Sequence, residues 1–185
     1  MNKTLISFLI FVFTLPTATL AGEMAPQSVV DLANSTLSKL GTNPAIVAAV
    51  KAQNEKNLSI DEIKETDKKW QAHVGIADYM SAIMESECGK ALRDIQKSAP
   101  YYSEIFVMDN QGANVAMTDK TSDYWQGDED KFIKSYNEGN GAVFIDEVKF
   151  DASAQAYLVQ VSVPVKDGKN VIGAITIGID VDKIE

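Results

Sequence analysis

Apolar residues recur at helical spacing through the first half of the chain and switch to strand alternation in the second. Val29, Ala33, Leu37 and Leu40 fall on one stripe, with Gly41 placed to terminate it. Asn43 followed by Pro44 supplies a cap and a first-turn residue for a second helix running to about Gln53. Ser59 with Glu62 forms a capping-box pattern that opens a third helix carrying Ile60, Ile63, Trp70 and Val74 on one side. Ile76, Met80, Ile83, Met84, Ala91, Leu92 and Ile95 extend an apolar face to the stop at Pro100. One long helix over about 59–97 fits this pattern, with Gly75 as the place where it would break.

The second half reads as five strands. Segments 104–109 and 113–118 flank Asn110-Gln111-Gly112, a tight hairpin signal, and 128–136 reads as a short helix. Strands at 143–150, 156–165 and 171–179 follow, the last two joined at Asp167-Gly168. Helices followed by an antiparallel sheet define an α+β protein. The late strands have unlike faces. Tyr157, Val159, Val161, Val163 and Val165 oppose Leu158, Gln160 and Ser162, and Val171, Ile175, Ile177 and Ile179 oppose Ala174, Thr176 and Gly178. The branched face suits the long helix. The small, polar face leaves a shallow concavity, either covered by a loop or open to a ligand.

Composition narrows the choices. The N-terminus has the form of an export signal: Lys3, an apolar core at 5–15, and Thr19-Leu20-Ala21 before Gly22. The apolar run is too short for a stable membrane span, and no later stretch is long or apolar enough to be one. The expected location is a bacterial periplasm, with residues 1–21 removed, 22–58 forming a helical segment and 59–185 a single domain. An uncleaved anchor is the minority alternative. With 17 basic against 26 acidic residues and a formal net charge of −9, neither nucleic acid nor an anionic membrane suits the surface. Arg93 is the only arginine, so no arginine cluster exists to grip phosphate or carboxylate. Cys88 is the only cysteine and falls in line with Met80, Met84 and Leu92, which reads as a buried thiol in preference to a reactive or dimer-forming one. His73 is also alone, and no metal-ligand spacing occurs.

The loop at 121–132 concentrates the candidate chemistry. Tyr124 and Trp125 sit in a polar, glycine-punctuated stretch among Asp123, Asp128, Glu129 and Asp130, with Lys131 the nearest cation. Aromatic rings with carboxylates suit an amine. Lys131, with backbone amides at the start of the short helix, suits a carboxylate. The alternative is that Trp125 plugs the loop onto the core and the acids at 128–130 serve the helix dipole. Tyr136, Phe144, Asp146, Gln160 and Ser162 join the candidate ligand-binding set, Asp146 because a strand carboxylate needs a partner.

The order of these elements resembles the extracytoplasmic PAS-like sensor domains called Cache or PDC domains, of the single-Cache type, over about residues 60–180. The resemblance implies a PAS-like five-stranded antiparallel sheet with a long N-terminal helix packed on one face. Amino-acid-binding members carry an aromatic pair preceded by an arginine, an acid after the middle strand and another after the last. This sequence is similar at Tyr124-Trp125, Phe150-Asp151 and Gly178-Ile179-Asp180, which adds Asp151 and Asp180 to the ligand-binding set. It departs at the arginine, where Ser122 or Asp123 stands. In receptors of that family a membrane helix and a signalling module follow the last strand, whereas this chain ends at Glu185.

The resulting expectation is a free-standing periplasmic sensor domain for a small amine, carboxylate or amino-acid-like metabolite, with a membrane receptor or transporter as partner. The alternative is an interaction protein that dimerises through its helices around a vestigial pocket. No nucleophile elbow, P-loop or dinucleotide glycine pattern is present, and no enzyme, cofactor or metal is expected.

Overall fold

Side-chain caps open three of the six α-helices among the described residues. In the computed structural model, which describes residues 22–184, helix α1 covers Gln27–Ser35 and a 3-10 turn continues over Leu37–Thr42. The proposed signal peptide lies outside the described residues. Helix α2 (Pro44–Asn54) starts where Asn43 Oδ1 accepts from the Ala45 N–H at 2.9 Å. Helix α3 (Ile60–Ala72) starts at a reciprocal capping box: the Ser59 N–H donates to Glu62 Oε2 at 2.8 Å, and the Glu62 N–H donates to Ser59 Oγ at 3.3 Å. Each such cap contributes about 1 kcal/mol.

The single long helix expected over 59–97 is instead three helices: α3, α4 (Asp78–Met84) and α5 (Glu87–Lys97). The first break comes near Gly75, whose φ of +81° lies in the left-handed region that ends helices. The second had no glycine to announce it. Ser86 Oγ accepts from the Gly89 N–H and opens a new helix, while Arg93 donates to the Met84 carbonyl that the break exposes and pairs with Glu85 at 2.9 Å. Among the described residues no helix is long and apolar enough to cross a membrane.

The sheet is antiparallel throughout and has six strands where five were expected. They are β1 (Tyr102–Met108), β2 (Asn114–Met117), β3 (Phe144–Ile145), β4 (Lys149–Asp151), β5 (Ala156–Asp167) and β6 (Asn170–Asp180). The order is β2-β1-β6-β5-β3, with β4 also paired to β5. The expected strand at 143–150 is divided because Asp146 turns its carboxylate onto the Glu147 N–H (2.9 Å), and Val148 pairs with Glu23 near the N-terminus. A short helix α6 (Asp130–Tyr136) joins β2 to β3. The β1–β2 turn is set by buried Asp109, whose Oδ1 accepts from the N–H groups of Gln111 and Ala113.

The two sheet faces bury different clusters. Val159, Val161, Val163 and Val165 of β5 and Ile175, Ile177 and Ile179 of β6 pack with Val29, Ile46, Val50, Cys88 and Leu92. The branched face is therefore covered by α1, α2 and α5, and residues 22–58 share its core. Cys88 is buried there, and burial pushes its thiol up to about 12. Tyr157, assigned to this face by alternation, lies beyond the covering helices, half exposed and edge-on to Phe150. On the opposite face Phe106, Met108 and Ala174 meet Ile63, Trp70 and Met80 from α3 and α4, together with Tyr124 and Phe132.

Candidate functional site

The second cluster covers only part of its face, and the remainder is a polar floor. Its first row runs Glu104 (β1), Gly178 (β6), Gln160 (β5), in direct register across three strands. A methyl on Gly178 would stand 2.7 Å from Glu104 Cγ, so the bare glycine lets the Glu104 side chain lie over β6. There its Oε1 accepts from Gln160 Nε2 at 2.9 Å. The next row is Phe106, Thr176 and Ser162, in which the two hydroxyls bond each other at 2.8 Å and are fully buried.

Walls rise from the loops around this floor. Trp70 Nε1 donates to the Thr121 carbonyl at 2.8 Å and ties α3 to the segment carrying Lys120, Thr121 and Ser122. Gln126 is buried, with Nε2 donating to the Asp123 carbonyl at 2.8 Å, and its Oε1 has no partner. Helix α6 places the Lys131 ammonium 5.4 Å from the Phe106 ring centre and 3.0 Å from Glu129. Asp151 accepts from the N–H groups of Ser153 and Ala154 at 2.8 and 2.9 Å.

These residues enclose a cavity of about 440 Å³ lined by Glu104, Phe106, Lys120, Gln126, Lys131 and Gln160 among others. An adjoining recess of about 350 Å³ shares Glu104, Lys120, Asp151 and Ser153 and extends to Gln96 and Asp119. Volumes of this size suit a metabolite.

Burial pushes the Glu104 carboxyl above its ordinary value, and Asp151 and Asp119 push the same way. The Gln160 bond and the Lys131 charge pull it partly back. Asp151 is held below the usual carboxylate range, first by the Ser153 hydroxyl and then by the Ala154 N–H. Of these two carboxylates, Glu104 is thus the one for which ionisation is costly. With its native value above the unfolded one, the folded state binds more protons between the two, and stability falls as pH rises through the native value. Glu104→Gln, which keeps an acceptor for Gln160, is expected to raise the urea midpoint at neutral pH and to remove its share of that slope. Equilibrium unfolding across the acid-to-neutral range checks this, and an unchanged slope would contradict it.

Of the residues singled out from sequence, Lys131, Asp151 and Gln160 line the main cavity. Asp146 borders a smaller neighbouring recess and pairs with Lys149 at 2.6 Å. Ser162 lies in the floor, closed by Thr176. Asp180 pairs with Lys183 at 2.7 Å and accepts from the Asp182 N–H. Tyr136 stacks on Phe132, and Phe144 sits under Lys134. Asp123 accepts from the Ser122 hydroxyl, while its carbonyl gathers Asn114, Thr121 and Gln126.

The aromatic pair is placed away from the main cavity wall. Tyr124 is buried against Trp70, and Trp125 donates to the Gln111 carbonyl at 2.8 Å beneath Lys64. Their backbone N–H groups both donate to Asp67 of α3. Sequence reasoning missed Glu104, Gln126, Lys120 and Thr121. The available signal was Glu104 alternating with Phe106 on a strand destined to lie beside Gly178.

No family model matches the chain, and neither does any curated protein. Solved structures do. The ligand-binding domain of the Campylobacter jejuni chemoreceptor Tlp3, in complex with 4-methylisoleucine, is 14% identical with a TM-score of 0.43, covering 85% of this chain and 60% of that one. The sensor domain of the V. cholerae histidine kinase DctB is 14% identical with a TM-score of 0.39, over 85% and 55%. The sensory domain of Tlp3 in a further structure is 16% identical with a TM-score of 0.44, over 86% and 66%.

Proposed function

We propose that the chain is an exported sensor domain of the Cache type that binds a small polar metabolite on the floor formed by Glu104, Gly178 and Gln160. One observation carries the reading: a desolvated carboxylate is held in a cavity of about 440 Å³, bonded by one oxygen to Gln160. Such an arrangement is costly to folding and is explained when a ligand completes it. Helix α3 reaches the cavity through Trp70 and Thr121, and this supports a route by which occupancy changes the helical surface offered to a membrane partner.

Thermal unfolding of the chain from Gly22 onward, against a panel of amino acids, carboxylates, amines and polyols, tests the reading. A ligand present at a hundred times its dissociation constant adds about 2.7 kcal/mol, or roughly 5–10 °C at this size. That shift should shrink sharply in Gln160→Ala. A flat response across the whole panel would overturn the proposal.

A further inference from the structure

Residues 22 and 23 lie across the gap between β3 and β4. The Val148 N–H donates to the Glu23 carbonyl at 2.8 Å, in an antiparallel bridge that sets this segment beside the interrupted margin. The Glu147 side chain covers the bare Cα of Gly22. A methyl there would fall on Glu147 Oε2 and stand 2.7 Å from its Cδ, so a side chain at this position would push the carboxylate away. Among the described residues Glu147 forms no ion pair, since the neighbouring Lys149 is taken by Asp146 at 2.6 Å.

We infer that Glu147 receives a new α-ammonium group, released at Gly22 when the chain is cut after Ala21 during export. The cut falls there because small residues, Thr19 and Ala21, follow the apolar run at 5–15. Hydrolysis by a leader peptidase consumes one water. The Ala21–Gly22 amide bond breaks, Ala21 keeps a carboxylate, and the Gly22 amine takes up a proton. Before the cut the Gly22 nitrogen is an uncharged amide. Afterwards it is a cation one bond from the Cα that Glu147 covers, free to turn toward that carboxylate. Glu23 on the same segment adds to the attraction, and the Asp146–Lys149 pair beside it is already neutralised. The pair pins the chain that leads into α1, whose Val29 and Ala33 are fully buried in the main core. This pairing requires export of the chain and is independent of what the cavity binds.

Expression of the full chain, recovery of the exported product and measurement of its intact mass come first. The expected product is residues 22–185. Carbon-labelled reductive methylation then gives the α-amine its own magnetic-resonance signal in this product and in Glu147→Gln. Its pKa should be roughly half a unit higher with Glu147 present. A raised native value means that the pair stabilises below the unfolded α-amine value and that this stability is lost as pH rises through the native one. The thermal midpoint of the parent should therefore fall toward that of Glu147→Gln between about pH 7 and pH 9.5. Amide exchange at Val148 reads the clasp locally and should be roughly twofold faster or more in the variant. A product cut elsewhere, or one retaining its leader, would overturn the assignment. So would equal α-amine pKa values in the two proteins. The thermal panel decides the sensor reading separately, because Glu147 is not among the residues lining the main cavity.

Discussion

Trp70→Ala is expected to cost about 4 kcal/mol of stability, within the 3–5 kcal/mol span for emptying a buried large aromatic site. The ring is fully buried, with Tyr124 at 5.6 Å and Tyr79 at 6.0 Å between centroids, and it belongs to the cluster of Ile63, Met80, Phe106 and Met108. Its removal leaves a cavity that the helix backbone cannot close. It also removes the donor from the buried Thr121 carbonyl, which then lacks a protein partner. Urea unfolding followed by circular dichroism reads the loss. Because Thr121 and its neighbours form a wall of the cavity, ligand affinity should fall even below the unfolding midpoint. Loss of less than about 1 kcal/mol would show that the second cluster does not depend on this ring.

Gly41→Ala should be nearly as damaging, at about 3 kcal/mol, the upper part of the usual range for overpacking. Gly41 is buried within the 3-10 turn at Leu37–Thr42, and a methyl there would fall on the Pro164 carbonyl of β5 well inside van der Waals contact. The obstacle is backbone, and the strand that carries it is paired with β6 on one side and β3 and β4 on the other. Relief therefore requires the turn to lift away, uncovering Leu37 and the valines beneath it. A denaturant midpoint equal to that of the parent protein would refute this close approach.

The two substitutions also show what a sequence conveys. Gly41 was expected to stop the first helix, but α1 ends at Ser35 and Gly41 lies inside the 3-10 turn; its constraint is tertiary and involves a strand more than a hundred residues later. Periodicity located the helical apolar faces and the alternating strands because burial imposes a period on each. The α+β class and the Gly75 break followed. The Glu85–Ser86 break did not, since Arg93 satisfies the exposed Met84 carbonyl from a distance along the chain. For the cavity, Lys131, Asp151 and Gln160 were identifiable from pattern or resemblance. Glu104 and Gln126 were hidden because their environment arises from register: Glu104 acquires its meaning from the absent side chain of Gly178. Tyr124 and Trp125 stood out as loop aromatics, but nothing local says that Asp67 draws their backbone N–H groups onto α3.

The interruption between β3 and β4 has a consequence for how molecules meet. A sheet margin attracts other chains when it presents a long, flat row of unpaired peptide groups. Here that margin offers two residues, then Asp146 and Glu147, then three more, with Val148 already bridged to Glu23. Lys149 adds an exposed charge to the same border. A foreign strand finds no continuous template there, so concentrated solutions should resist fibre growth from this side of the molecule.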